Sequence, residues 1–525
     1  MIHRESKDDV GWVILLACTW IAILMTMFIH SGANPNFWFD ESGQFWMSKG
    51  LNHYSTPYSK SGSFSDTIQA NCSSNMDPGG YTIGLRWWIF ISTSPIWLRS
   101  FSFLFFVITM FATAGIAYLW TKSRLISLAV GLITASAPMV SQYAFELRPY
   151  SMEVCGVALS VYYLEYCVRK PCVMCFIKLG LVCALFITSR YSFISSAIAT
   201  GIGVLWTVKC FTWRQRVTYL VLFGVPVLIS LVGIYVITLI HQNPNIKPPD
   251  YVNSFILHGK TLEQMLNIAS SALFSPYGIG STLFLLLYIF FSLCRIETAK
   301  YKLFTTYFII VLAVNVVIIF FSLLGKYPWC PFERWGISQH FLAMLSWFPS
   351  VWMVSYSVGI PEKIGEKNFR VLLSLGTLFT AVSMSGMVHY NNYSLKIDEC
   401  ILNPSSYISG TAHFKGSDST FTNILALGSD NISRKRVFVG RSANPTIRYL
   451  YEYGPLRNYA PNIYPNSFFF EESDDSKQIW ESFDFLFFSA TSDAAVFRQL
   501  GKSKSQFNAV SKFPESKFFK QRLSN

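Results

Sequence analysis

Apolar residues fall in long blocks along the first three-quarters of the chain, and polar residues gather in the short breaks between them. Blocks lie near 11–29, 97–120, 125–142, 150–168, 173–190, 192–208, 217–240, 276–294, 303–325, 336–357 and 368–388. Crossing a bilayer core takes about 20 apolar helical residues. The pattern therefore predicts an α-helical polytopic membrane protein with about 11 transmembrane helices. No small-residue cleavage pattern follows Phe28-Ile29-His30, so the first block reads as an uncleaved helix.

Between the first two blocks lies a long loop, 30–96. Glu41–Lys49 is expected to form a short helix closed by Gly50, with Phe45, Trp46 and Leu51 on the membrane surface. Residues 52–76 read as irregular, and a second surface helix is expected over Tyr81–Ile91, with Trp87 and Trp88 at head-group depth. After residue 390 the blocks stop. Strand-like runs at Arg436–Gly440, Asp484–Phe488 and Phe507–Phe513, and a helix from Asn444-Pro445 to Tyr453 with proline first, predict a small C-terminal α/β domain. Two domains follow: 1–390, transmembrane, and 391–525.

Composition agrees: 52% of residues are hydrophobic and 14% charged. Much of the net charge of +13 is topological. With the N-terminus inside, the cytoplasmic segments hold sixteen Lys and Arg, against six in the short outer loops: Arg148, Arg190, Lys247, Lys260, Lys326 and Arg334. The positive-inside rule then puts the N-terminus in the cytoplasm and the 30–96 loop and the tail on the outer face. The basic residues are scattered in short loops, which excludes a nucleic-acid surface and leaves some to meet lipid head groups. Of the eleven cysteines, Cys172 and Cys175 form a CxxC at an inner helix edge, without the second pair a zinc site needs. Cys72, Cys330 and Cys400 lie outside, where one disulfide at most can form. No metal site and no Gly-rich phosphate loop is read.

Charge near the bilayer centre costs about 2.5–3.5 kcal/mol per residue, and mid-span positions are almost free of it. Instead Asp40, Glu41, Asp77, Glu146, Arg148, Tyr150, Arg190, Lys326, Tyr327, Glu333 and Arg334 gather at the outer ends of helices. That pattern points to a site at the outer leaflet. The bland alternatives are first-turn carboxylates complementing a helix N-terminus, and loop residues paired with one another or with lipid phosphates.

Four segments carry a resemblance. They are Phe39-Asp40-Glu41; Asp77-Pro78-Gly79-Gly80-Tyr81 through Trp88, followed by Ser94-Pro95-Ile96-Trp97-Leu98-Arg99-Ser100; Phe145-Glu146-Leu147-Arg148-Pro149-Tyr150-Ser151-Met152; and, more loosely, Lys326-Tyr327-Pro328 with Glu333-Arg334. In this order they resemble the GT-C glycosyltransferases that use polyprenyl-phosphate sugars, in the bacterial branch related to protein O-mannosyltransferases and aminoarabinose transferases. The resemblance covers residues 1–390, and the soluble tail fits bacterial members. One departure is Asp77-Pro78-Gly79-Gly80 where members often carry His-Pro-Pro, which touches acceptor recognition more than catalysis.

The resemblance implies an inverting enzyme that moves a sugar from a polyprenyl-phosphate carrier to a hydroxyl of a glycan, lipid or protein. It implies Asp40 as catalytic base and Glu41 as its partner or the acceptor's. Arg148 and Lys326 would hold the phosphate, with Arg334 third, and Glu146 would orient Arg148 or bind sugar hydroxyls. Asp77, Tyr150 and Tyr327 complete the substrate-binding set. No cofactor is required. A bacterial inner membrane with a periplasmic tail is the implied location. The alternative is a transporter or lipid flippase, which would place binding groups at the midplane on broken helices and show internal repeats; neither is read.

Overall fold

The computed structural model describes residues 7–32, 37, 39–51, 59–207, 212–244, 250–331, 334–377, 379, 437–439, 448–449, 452–453, 485–489, 507–509 and 516–521. Trp38, Glu333 and Cys400 lie outside them. Helices come in the order α1 Lys7–Gly32, α2 Phe39–Ser48, α3 Phe64–Ser74, α4 Gly80–Ile89, α5 Pro95–Thr121, α6 Arg124–Ser136, α7 Pro138–Gln142, α8 Tyr150–Arg169 and α9 Val173–Ile187. They continue with α10 Phe193–Thr207, α11 Trp213–Ile237, α12 Asp250–Asn253, α13 Leu262–Phe274, α14 Ile279–Leu293, α15 Thr305–Leu323, α16 Ile337–Ser357 and α17 Ile360–Ile364. The chain divides into two units.

The first unit comprises Met1–Thr26, Asn75–Tyr81 and Ser102–Met387. Here α9 packs on α8 and α11, α10 on α15, and α14 on α16. Small residues bring the backbones together. A Cβ on Gly280 would lie 2.1 Å from the Ala343 carbonyl oxygen, and one on Gly180 2.4 Å from that of Phe223. The protein is thus built from several apolar helices. Among the described residues four are long and apolar enough to span a membrane: Val10–Phe28, Pro95–Thr121, Trp213–His241 and Tyr301–Leu323. The expected blocks at 125–142, 173–190 and 192–208 fall on shorter apolar helices. One helix pair, Leu262–Phe274 and Ile279–Leu293, is bent by 86°. The sequence reading found no broken helix there. Pro276, which has no N–H to give, stands in the break.

The second unit comprises Met27–Ser74, Thr82–Phe101 and Val388–Asn525. The expected loop helix appears as α2, with Asp40 and Glu41 in its first turn and Gly50 just beyond it at φ +69°. Residues 52–76 are not wholly irregular, because α3 lies within them. A reciprocal cap starts it: the Asp66 N–H donates to the Ser63 hydroxyl at 3.2 Å, and the Ser63 N–H to the Asp66 carboxylate at 2.6 Å. The Ser63 hydroxyl and N–H hold the Asp66 carboxyl below its usual range. Hydrogen bonds then tie the three loop helices together. Gln44 donates to Thr82 at 2.6 Å, Thr82 to Asn71 at 2.8 Å, and Arg86 to Thr67 at 2.6 Å.

Phe45 and Trp46 were expected on the membrane surface; both are fully buried. Phe45 meets Tyr449 and Tyr453 edge-on at 5.1 and 5.4 Å, and the Arg448 guanidinium lies 3.9 Å over the Trp46 ring. Trp87 is 65% exposed, while Trp88 stacks on Trp97 at 4.7 Å. In the tail, β1 (Val437–Val439) pairs parallel with β2 (Phe485–Ser489). A further strand, β4 (Ser516–Gln521), pairs antiparallel with both β2 and β3 (Phe507–Ala509), in the order β1-β2-β4-β3. Three of the four overlap runs read as strands from sequence; β4 was not read.

Candidate functional site

In the first unit, charged side chains converge where the segment before α4, the start of α8 and the end of α9 meet. The Gly80 N–H donates to the Thr188 carbonyl at 2.9 Å, and a Cβ on Gly80 would fall 2.1 Å from the Thr188 hydroxyl. That close approach, with Gly79 at φ +94°, turns Asp77 toward Arg190, two residues beyond Thr188. The Arg190 guanidinium is the centre. Its Nη1 donates to the Glu153 carboxylate at 2.7 Å and to the Arg334 backbone carbonyl at 3.3 Å. Its Nε faces Asp77 at 3.4 Å. The Ser338 hydroxyl donates to the other Glu153 oxygen at 2.5 Å. Glu153 is wholly buried, and Arg190 is 4% exposed.

Arg148 approaches the other side of Asp77, at 3.9 Å. The Tyr150 ring lies beside both cations, 4.7 Å from the Arg190 guanidinium and 5.9 Å from that of Arg148. Charge-assisted pairs close to about 2.7–2.9 Å. By that measure Glu153 is bonded tightly to Arg190, and Asp77 faces both the Arg190 and the Arg148 guanidiniums. Tyr327 donates its hydroxyl to the Trp335 carbonyl, and Trp335 in turn lies 5.5 Å from Arg190.

The second unit holds Asp40 and Glu41. Both lie in the first turn of α2, where unpaired N–H groups favour carboxylates. Asp40 is half-buried, and Glu41 is 1% exposed. Arg99 grips Glu41 with two bonds, Nε at 3.1 Å and Nη2 at 3.0 Å, and lies 5.0 Å over the Phe37 ring. The Glu41 carboxylate is therefore a fixture of the α2 start, one residue from Asp40.

The structure brings together Asp77, Arg148, Tyr150, Tyr327 and Arg334 from the sequence-based set. Glu146 joins through its backbone, accepting from the Arg148 N–H at 2.7 Å and the Ser102 hydroxyl at 2.6 Å. Lys326 differs: its side chain is exposed and makes no ion pair among the described residues. Glu153 and Ser338 were missed. Each looks like an ordinary polar residue inside an apolar helix, and the signal that could have found Glu153 is a carboxylate four residues into a span. No group of three metal-ligating side chains occurs among the described residues. A separate apolar cavity of about 780 Å³, lined by Met344, Trp347, Phe348 and Leu372 among others, has no charged residue in its described lining.

No family model matches the chain, and no curated protein matches it. Among solved structures, it is similar to ArnT from Cupriavidus metallidurans in the apo state, at 13% identity and a TM-score of 0.49, covering 98% of both chains. It is likewise similar to the same protein bound to undecaprenyl phosphate, at 13% identity and a TM-score of 0.46, covering 97% of this chain and 98% of that one.

Proposed function

We propose that the protein is an inverting glycosyltransferase that moves a sugar from a polyprenyl-phosphate carrier to a hydroxyl acceptor at the outer leaflet. The observation that carries this reading is the convergence of the Arg148 and Arg190 guanidiniums on Asp77, at 3.9 and 3.4 Å, beside the Tyr150 ring. Arginine forks suit phosphate oxygens, and Arg190 is held in place by Glu153 and the Arg334 carbonyl. A departing phosphate is already a stable anion. It needs cations to hold it and no acid to protonate it, unlike the poor leaving group of a glycosidase. One base suffices, to take the acceptor's proton as the hydroxyl attacks the anomeric carbon. Asp40 is proposed for that role from its place after the first span, with Glu41 and Arg99 fixing the turn that carries it. Arg190 replaces Lys326 as the second phosphate cation, and Arg334 stays third.

The test is a deletion strain. Its membranes should accumulate a polyprenyl-phosphate sugar, which wild-type protein clears and Asp40→Asn does not. If the mutant clears it as fast as wild type, Asp40 has no part in the chemistry. If no carrier-linked sugar accumulates at all, the transferase reading fails.

A further inference from the structure

A second chemical feature lies apart from the charged cluster, at the start of α9. Cys172 and Cys175 are joined as a disulfide. Cys172 is also the N-cap of the 15-residue α9, and its sulfur accepts from the Cys175 N–H at 3.2 Å. It is exposed, and Cys175 is half-buried. Arg169 and Lys170 immediately precede the motif, and Lys122 is close enough to feel both: burial first, and then these two cations, push its ammonium below the usual lysine value. Two influences that favour a thiolate thus coincide at one sulfur: a helix N-terminus and a Cys-x-x-Cys spacing. The positive-inside rule puts this end of α9 in the cytoplasm, where disulfides are transient and serve catalysis or sensing. Metal capture is disfavoured, because no further ligand cluster joins the pair among the described residues.

We propose that Cys172 and Cys175 form a reversible dithiol–disulfide site that exchanges with small-molecule thiols and their disulfides. Oxidation takes two steps. The Cys172 thiolate attacks one sulfur of the external disulfide, forms a mixed disulfide and expels a thiolate. Cys175 then attacks the Cys172 sulfur, closes the internal bond and expels the second thiolate. The two protons of the protein thiols go to the two departing thiolates, so the external disulfide is reduced to two thiols as the protein pair is oxidised. Reduction by excess thiol runs the same steps backwards.

The test uses the full chain in lipid nanodiscs, with glutathione and its disulfide as probes and peptide mass spectrometry as readout. Cys294 is the internal control: it is also exposed, but it caps the C-terminal end of α14 and is a free thiol outside any Cys-x-x-Cys pair. After reduction, iodoacetamide should label Cys172 about tenfold faster than Cys294 at neutral pH. Glutathione disulfide should then protect both Cys172 and Cys175. In Cys175→Ser, oxidation should stop with one glutathione on Cys172. Equal labelling of Cys172 and Cys294, or both thiols of the pair remaining open to alkylation after oxidant, would overturn the proposal, as would the absence of the adduct in Cys175→Ser.

Discussion

Glu153 and Arg190 form a fully desolvated ion pair, 2.7 Å apart, with the carboxylate wholly buried and the guanidinium 4% exposed. Removing one partner of such a pair leaves a buried charge unmatched, at a cost of about 3–5 kcal/mol. Glu153→Leu should therefore lower unfolding stability by roughly that much, and Arg190→Met similarly. The double variant Glu153→Leu with Arg190→Met should recover a large part of the loss. A denaturant-unfolding double-mutant cycle in detergent measures it. Single changes that each cost below about 1 kcal/mol would show that the pair is not what holds α8 to the end of α9.

Arg148→Ala and Lys326→Ala should behave differently. Arg148 faces Asp77, whereas Lys326 is exposed. Losing a charge-assisted bond to the leaving phosphate costs about 1.5–3 kcal/mol, so Arg148→Ala should lower turnover with the carrier-linked donor by roughly tenfold or more. Lys326→Ala should stay within about twofold. Equal losses would return Lys326 to the phosphate site.

Stability should also respond to pH through Lys49. Its side chain is buried against the Phe45, Trp46 and Tyr453 rings and donates to the Tyr453 hydroxyl. Burial lowers its ammonium from the ordinary value of 10.5, with Arg448 adding to that and Glu452 opposing it. Between the lowered value and 10.5 the unfolded chain binds the extra proton, so stability rises with pH across that window. Tyr453, whose phenol burial pushes up, reverses the slope only above its ordinary value of 10. Wild type should gain in denaturant midpoint from pH 7 to 9.5 relative to Lys49→Met. Parallel profiles would mean that Lys49 keeps its proton at no cost.

Topology can be checked directly. Arg448, Tyr449 and Tyr453 pack against α2 within one unit, which supports placing the tail and the 30–96 loop on the same side of the membrane. In a cysteine-free background, Lys60→Cys and Thr420→Cys should both react with an impermeant maleimide added from outside, and Lys122→Cys should not. Reaction of the first two from opposite sides would break the span count.

What sequence could and could not reveal follows from the range of each interaction. The α2 start was legible because its cause is local: two acids in a first turn and a glycine just past the end. The start of α3 was equally local, since Ser63 and Asp66 form the cap, yet the polar run hid it because no apolar periodicity accompanied it. Phe45 and Trp46 were misplaced for the opposite reason. Their cover comes from Arg448, Tyr449 and Tyr453, and nothing near residue 45 announces it. Asp77 and Arg148 were found because charge at a helix end stands out. Glu153 was lost inside an apolar helix, where only its distant partner Arg190 explains it.

The interleaving of the two units imposes an order of assembly. The chain leaves the second unit at Ser74, returns to it briefly, and comes back finally at Val388. Lys49 and Tyr453 are 404 residues apart, so at about 5–20 residues per second the ribosome makes the lid for α2 roughly 20–80 s after α2 itself. During that interval Phe45 and Trp46 are bare aromatic surface beside the proposed base, and a chain terminated early never covers them. Synthesis of the last quarter of the chain is thus the step that shelters α2, and nascent chains stalled before it should be the ones that chaperones and proteases hold.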